Sequence, residues 1–222
     1  MEQSTAVVFF TGFQLRDIWY LAEAAGRTLL ISIISITVGS LLGCVFGWML
    51  YSSKWLGAIT LGLVLDAFRS VPLIIQLILF FNFFPIIGVP LDPFTAGTFV
   101  LTIYTAALVA NVVRGGIEAV GIPMRRSSRS LGMSYWQDMR YVVWPIGLRA
   151  VFPAWVGVAL GVMKDSSLVS VLGYVELLRA SQILITRTQE PFIVLAVAGA
   201  FYFALSYPLS KFSARLEGKW QS

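Results

Sequence analysis

The chain has 222 residues, of which 58% are hydrophobic and only 12% charged, with a net charge of +5 and a mean hydropathy of +0.82. Soluble domains carry about 25% charged residues, so this composition excludes most soluble enzymes and predicts one domain, 1–222, built as a bundle of membrane helices. The chain has no histidine, the commonest general base and metal ligand, and its single cysteine excludes a disulfide framework.

The N-terminal segment, 1–28, lacks the basic start of a secretory signal peptide. Apolar residues recur in it at the spacing of one helix face, at Leu15, Ile18, Trp19 and Ala22. This pattern predicts a short amphipathic helix that lies in the membrane interface.

Five apolar stretches after this segment are predicted to cross the membrane. In the first of them Gly39, Gly43 and Gly47 recur at every fourth residue, which predicts close contact with another helix. Gly157 and Gly161 predict the same in the fourth stretch. The five predicted spans are Leu29–Tyr51, Leu63–Phe84, Thr95–Val113, Ala150–Met163 and Pro191–Leu209.

Two longer polar segments, 114–149 and 164–190, separate the later spans. An odd number of crossings places the two termini on opposite faces, and lysine and arginine are enriched in loops on the cytoplasmic face. One face collects Arg16, Arg27, Lys164, Arg179 and Arg187, and the other collects Lys54, Arg114, Arg125, Arg126, Arg129, Arg140, Arg149, Lys211, Arg215 and Lys219. The sequence therefore predicts a cytoplasmic 114–149 segment, a cytoplasmic C-terminus and an external N-terminus.

Segment 114–149 has the pattern of a helix, a glycine turn and a second helix. Gly132 permits a sharp turn, Ser134 can cap a helix that begins at Tyr135, and Pro145 is predicted to end that helix. A helix pair that protrudes in this way suits a docking element for a partner protein. The alternative at this point is a solvated basic loop.

The same segment resembles a cytoplasmic motif, Glu-Ala-Ala-xxx-Gly-x9-Ile-x-Leu-Pro, of the permease subunits of bacterial ABC importers for polar amino acids (the histidine/glutamine/opine family). Gly132 takes the glycine position, nine residues separate it from Val142, and Val142 to Pro145 take the last four positions. Other matches are Phe68 to Leu73 with Gln76, Arg114 to Ile117, Lys164 to Val171, Glu176 with Leu177, and Arg187 with Thr188.

The resemblance implies a type I ABC importer fold with five transmembrane helices and no catalysis by this chain. It implies two permease subunits, two cytoplasmic ATPase subunits that bind ATP and Mg²⁺, and an external solute-binding protein. The second permease is either a paralogue or a copy of this chain, and a paralogue is favoured because an altered coupling motif is easier to tolerate beside an intact one. The implied location is the bacterial inner membrane, in contact with lipid and without nucleic acid. The residues implied in coupling to the ATPase are Arg126, Ser127, Ser128, Gly132, Met133, Ser134, Trp136 and Pro145.

The chain departs from the family motif in its first half. The Glu-Ala-Ala positions hold Arg126, Ser127 and Ser128, so the local charge is reversed. Two interpretations remain open: the partner surface compensates for the reversed charge, or this chain is the more weakly coupled member of an asymmetric permease pair.

Polar residues inside the predicted spans are candidates for a substrate path, because charges at the bilayer centre usually face protein or water. Arg69 can attract a substrate carboxylate or pair with Asp66, three residues before it. Asn111 stands where many family members carry glutamate, which argues against a cationic substrate. The candidate path residues are Arg69, Gln76, Asn111, Lys164 and Asp165.

The resemblance therefore implies an ATP-driven importer subunit that translocates a polar amino acid or a related zwitterion. The chain has no GxxxxGK[ST] phosphate loop, so the resemblance assigns ATP to a partner, and no cofactor or metal is expected on this chain. The alternative function is an ion-gradient-driven transporter or channel for a small polar solute. It is disfavoured because intramembrane carboxylates are scarce and no inverted repeat is evident.

Overall fold

The computed structural model describes residues 12–53 and 56–221, and these form helices without a strand among them. Four of the helices are long and apolar enough to cross a membrane, and a bent pair brings the number to five if the pair counts as one span. The elements are α1 (Leu15–Ser52), α2 (Leu56–Ser70), α3 (Leu73–Ile86), α4 (Pro93–Ala119), α5 (Ile122–Ser130), α6 (Tyr135–Asp138), a π-helical turn (Met139–Val143), α7 (Trp144–Asp165), a 3₁₀ helix (Ser166–Leu172), α8 (Leu177–Thr188) and α9 (Pro191–Gln221).

Residues 1–11 of the predicted N-terminal segment lie outside the described residues. From Leu15 onward this segment and the first predicted span form one continuous helix, α1, rather than two elements. The single Gly26 does not interrupt it, since an isolated glycine in a helix costs only about 1 kcal/mol. Asp17 is buried, and its carboxylate accepts a 2.5 Å hydrogen bond from Arg187 of α8. Leu15 and Trp19 are 82% and 79% exposed, so the apolar side of this segment points away from the rest of the chain. Its place in the membrane interface stays a prediction.

The second predicted span, Leu63–Phe84, is wrong as a single helix. The structure divides this region into α2 and α3, whose axes differ by 104°. The break falls at Pro72, which has no N–H to donate to the preceding turn. Gln76 stabilises the bend, because its Nε2 donates to the carbonyl oxygens of Phe68 at 2.5 Å and Val71 at 2.7 Å.

The glycine pattern of α1 is confirmed as a packing seam against α4. A Cβ atom at Gly39 would lie 2.6 Å from Thr105 Cβ, and one at Gly43 would lie 2.6 Å from Val109 Cβ. At Gly47 the obstacle is backbone, because a Cβ atom would lie 2.5 Å from the carbonyl oxygen of Ala110. Only glycine allows the two helix backbones to approach this closely.

A second close contact joins α4 to α7 at Gly116 and Gly147, which the spacing of glycines did not predict. A Cβ atom at Gly147 would lie 2.7 Å from the carbonyl oxygen of Gly116. By contrast, Gly157 and Gly161, which were predicted to pack, have no described atom within 4 Å of a Cβ atom. Helix α4 is therefore held between α1 and α7, at the centre of the bundle.

The end of the bundle that carries the start of α1 is closed by α8. Glu176 is fully buried and caps α8, with its carboxylate oxygens accepting from the backbone N–H groups of Leu178 at 2.8 Å and Arg179 at 2.7 Å. Burial raises the pKa of Glu176, and these hydrogen bonds act in the opposite direction. Thr28 of α1 accepts from the N–H of Leu177 at 3.1 Å, so the cap also ties α8 to α1.

Candidate functional site

The predicted helix–turn–helix of segment 114–149 is confirmed, and we call it the α5–α6 hairpin (Ile122–Asp138). Gly132 has φ +82°, a conformation that glycine adopts without steric cost, and it follows the last turn of α5. Ser134 begins α6 as predicted: its Oγ accepts from the N–H of Gln137 at 3.3 Å, and its own N–H donates to Gln137 Oε1 at 2.8 Å. Residues within a few positions of each other determine this turn, which explains why the sequence could predict it.

The prediction that Pro145 ends the second helix is wrong. The chain continues from α6 through a five-residue π-helical turn into α7, with Pro145 in the first turn of α7. Proline is tolerated there because the first N–H groups of a helix have no helical acceptor. Pro145 therefore lies beyond the hairpin, and Tyr135–Leu172 forms one helical path from the hairpin into the bundle.

A buried ion pair fixes the shape of the hairpin. Asp138 at the end of α6 is fully buried, and its Oδ2 accepts from Nε of Arg125 of α5 at 3.0 Å. Ser128, also on α5, donates from Oγ to Oδ1 of Asp138 at 2.5 Å. Both carboxylate oxygens are thus used to hold α5 against α6, which compensates for the cost of burying the charge.

The hairpin also rests on the end of α1. Arg125 donates to the hydroxyl of Tyr51, and its guanidinium carbon lies 5.4 Å from the centre of that ring. Trp48 stacks on Trp136 with ring centres 5.7 Å apart, and its Nε1 donates to the hydroxyl of Tyr135 at 3.2 Å. These contacts connect α1 to both helices of the hairpin.

The residues predicted for coupling differ in exposure. Ser128 is buried against Asp138, whereas Arg126 and Ser127 are exposed on the same helix. The exposed apolar side chains of the hairpin include Leu131, at 81% exposure, and Trp136, at 66%. The predicted coupling residues that lie on the hairpin are Arg126, Ser127, Ser128, Gly132, Met133, Ser134 and Trp136.

Two of the predicted path residues act electrostatically on one side chain that the sequence did not single out. Tyr104 of α4 interacts electrostatically with both Asp165, at the end of α7, and Arg69, at the end of α2. Arg69 also donates to Asp66 at 3.2 Å, as the pairing alternative predicts, and both side chains keep substantial exposure. Lys164 is exposed beside the half-buried Asp165. We call Arg69, Tyr104 and Asp165 the group around Tyr104. The charges of Arg69 and Asp165 act on the Tyr104 hydroxyl, but no hydrogen bond or ion pair joins the three side chains among the described residues.

The two amide candidates donate to backbone carbonyl oxygens of the chain, and among the described residues the buried Oε1 of Gln76 has no hydrogen-bond partner. Gln76 donates both hydrogen bonds of its Nε2 to the backbone at the bend between α2 and α3. Asn111 donates to the carbonyl oxygen of Ala107, one turn earlier on α4, at 3.1 Å. Among the described residues, neither Gln76 nor Asn111 forms a hydrogen bond with Arg69, Tyr104 or Asp165.

Sequence reasoning missed the residues that act through tertiary contacts. Asp138 and Arg125 are 13 positions apart, and one signal was available: Asp138 is the single acidic residue among the arginines of the hairpin. Tyr104 carries no such signal, since it is one of 8 tyrosines in the chain.

Comparisons with known proteins agree with this architecture. A family model described as the inner membrane component of binding-protein-dependent transport systems matches residues 35–219. The chain is 31% identical to the probable glutamine ABC transporter permease protein GlnP of Bacillus subtilis (strain 168), over 94% of this chain and 97% of that protein. It is also 31% identical to the probable glutamine ABC transporter permease protein GlnM of the same strain, over 83% and 85%. A crystal structure of an amino acid ABC transporter with histidines superposes with a TM-score of 0.83 at 30% identity, over 90% of this chain and 94% of the other.

Proposed function

The chain belongs to the family of inner membrane components of binding-protein-dependent transport systems, and we propose that it moves a polar amino acid across the bacterial inner membrane. It is a membrane-spanning permease subunit of an ABC importer, and its family consists of channel-forming components rather than enzymes. Family membership favours this function over the ion-gradient-driven alternative. The observation that carries the proposal is the match to an amino-acid permease along 94% of the chain.

In the assembled transporter, two ATPase subunits bind ATP and Mg²⁺, and the α5–α6 hairpin seats in one of them on the cytoplasmic side. A displacement of the hairpin reaches the bundle through α4, which leads into it, and through α7, which leads out of it. Helix α7 has 22 residues and so spans about 33 Å. Because no break separates α6 from α7, closure of the ATPases moves the far end of α7, where Asp165 lies. The pathway then alternates between inward- and outward-facing states.

A second permease subunit completes the pathway, and we expect it to be a paralogue. The two glutamine permeases of Bacillus subtilis to which this chain is similar are different proteins of one strain, which supports such a pair. An external solute-binding protein delivers the substrate to the face that carries α8. In this proposal the N-terminus lies outside and the hairpin inside, as the distribution of lysine and arginine predicts.

The group around Tyr104 suits the two charges of an amino acid. Asp165 attracts the α-ammonium group, Arg69 attracts the carboxylate, and the hydroxyl of Tyr104 can donate or accept a hydrogen bond between them. Lys164, next to Asp165, adds a second cation for the carboxylate. A zwitterion therefore fits this group better than a purely cationic or anionic solute.

The Asp165→Asn variant tests this assignment. A hydrogen bond to a charged group contributes about 1.5–3 kcal/mol, so we expect its loss to slow uptake about tenfold or more. Uptake of radiolabelled glutamine, histidine and arginine is measured in vesicles that contain both permeases, the ATPases and the binding protein. The matched control is Glu23→Gln, which removes an exposed carboxylate paired with Arg27 and should leave uptake unchanged. Equal uptake by Asp165→Asn and by the control would remove Asp165 from the path.

A further inference from the structure

The exposed charge of the α5–α6 hairpin and of the turn after it is entirely positive. Between Ala119 and Met163 the sequence contains one acidic residue, Asp138, and that residue is fully buried. The basic residues of the same stretch are Arg125, Arg126, Arg129, Arg140 and Arg149.

Among the described residues, Arg125 is the only one of these cations that forms an ion pair, with Asp138. Arg126, Arg129 and Arg140 are exposed, and no carboxylate of the described residues forms an ion pair with them. The guanidinium carbon of Arg129 lies 5.9 Å from the centre of the Tyr135 ring, and that of Arg140 lies 5.8 Å from the centre of the Tyr141 ring. Contact with an aromatic ring orients a cation but leaves its charge uncompensated.

We propose that the ATPase surface that receives the hairpin is acidic, with carboxylates opposite Arg126 and Arg129. This inference rests on the proposed function, in which the hairpin seats in an ATPase subunit. A basic or neutral groove would place like charges together or strip water from unpaired arginines, and either arrangement costs several kcal/mol per contact. Leu131 and Trp136 expose apolar surface on the same hairpin, and the combination of tryptophan and arginine is typical of the energetic centre of a protein interface.

The hairpin is rigid enough for its charges to specify a partner. Arg126 and Arg129 lie on α5, which Arg125 and Ser128 hold against Asp138. Because the two arginines have fixed positions, no loop has to become ordered when carboxylates of a partner bind them. This lowers the entropic cost of association. An ATPase whose groove is adapted to an acidic coupling helix would be repelled by this chain, so the reversed charge also selects the correct partner.

A zero-length cross-link tests the proposal in the assembled transporter. The Arg126→Lys and Arg129→Lys double variant keeps both positive charges and supplies amines, which a carbodiimide joins to a carboxylate in direct contact, with loss of water. The transporter is purified from its host, and the ATPase is identified by the mass of its phosphate-loop peptide. We expect amide cross-links between the introduced lysines and aspartate or glutamate side chains of the ATPase. Cross-links to lipid carboxylates alone, or none to the ATPase, would overturn the proposal.

A photoreactive probe separates failure of this inference from failure of the proposed function. A benzophenone attached to Ser127→Cys, in a Cys44→Ala background, reports proximity to the ATPase whatever the charge of its surface. If the probe reacts with the ATPase and the lysines do not, the hairpin docks there but the groove is not acidic. If neither reacts, both proposals fail.

A charge-reversal variant tests the acidic groove quantitatively. The Arg126→Glu and Arg129→Glu double variant should weaken copurification of the ATPase at least tenfold. The Arg16→Glu and Arg179→Glu double variant changes the net charge equally, and Arg16 lies roughly 50 Å from Tyr51 along α1. This control should retain the ATPase as the wild type does. Equal loss from both variants would show that net charge, rather than an acidic groove, governs the association.

Discussion

The Asp138→Ala variant is expected to remain in the membrane but to lose at least about 90% of its ATP-driven uptake. Removing one partner of a buried ion pair costs about 3–5 kcal/mol, because the other charge is left buried and uncompensated. Here that charge belongs to Arg125, and Ser128 loses its acceptor at the same time. Helix α5 has only nine residues, so it depends on these contacts for its position. Uptake and ATP hydrolysis are measured together in reconstituted vesicles.

Loss of uptake should be accompanied by loss of control over ATP hydrolysis. The proposed function predicts that the loaded binding protein stimulates hydrolysis in the wild type, and in Asp138→Ala we expect that stimulation to disappear. The Arg125→Leu and Asp138→Leu double variant removes both charges, and a buried pair replaced by apolar residues often retains its stability. The double variant should therefore take up more substrate than Asp138→Ala. Wild-type coupling in Asp138→Ala would show that the ion pair is not needed to position the hairpin.

The second large effect is expected at the seam between α1 and α4. In Gly47→Val a Cβ atom would lie 2.5 Å from the carbonyl oxygen of Ala110, and a backbone atom cannot rotate away as a side chain can. The helices must separate, which breaks contacts along the whole seam. Overpacking of a core costs about 1–3 kcal/mol where side chains can adjust, and we expect at least that loss here. The midpoint of thermal unfolding in detergent measures it.

Gly26→Val is the matched control on the same helix. No described atom lies within 4 Å of a Cβ atom at Gly26, and valine has a higher helix propensity than glycine. Its unfolding temperature should therefore equal or exceed that of the wild type. If the two variants unfold at the same temperature, the seam does not require glycine at position 47.

The features predicted correctly from sequence are those that depend on neighbouring residues or on a helical period. Gly39, Gly43 and Gly47 indicated the seam because their spacing alone places them on one helix face. Gly132 and Ser134 indicated the hairpin turn because a left-handed turn and a helix cap have local residue requirements. The membrane class followed from composition, which needs no structure at all.

The features that sequence reasoning missed depend on distant contacts or on competing local effects. Hydropathy predicted one helix over Leu63–Phe84, because an apolar run does not reveal how Pro72 redirects it. Pro145 was expected to stop a helix, yet in the first turn of α7 a proline is compatible with a continuing path. Arg69 and Asp165 were predicted as path residues, but Tyr104 was not, since the sequence pattern does not specify how the three helices that carry these residues pack.

Reconstitution with ATP on one side of the membrane tests whether ATP on the hairpin side drives uptake through this chain. Vesicles contain both permeases and the ATPases, with ATP in the lumen and the binding protein with radiolabelled glutamine outside. Protection of the hairpin from external protease identifies the vesicles in which it faces the lumen. We predict that glutamine accumulates in proportion to the number of vesicles in which the hairpin faces the lumen. Ionophores should not change this accumulation. Three results would contradict ATP-driven uptake from the hairpin side. They are glutamine accumulation without ATP, accumulation driven by an ion gradient, and accumulation that requires ATP only on the opposite face.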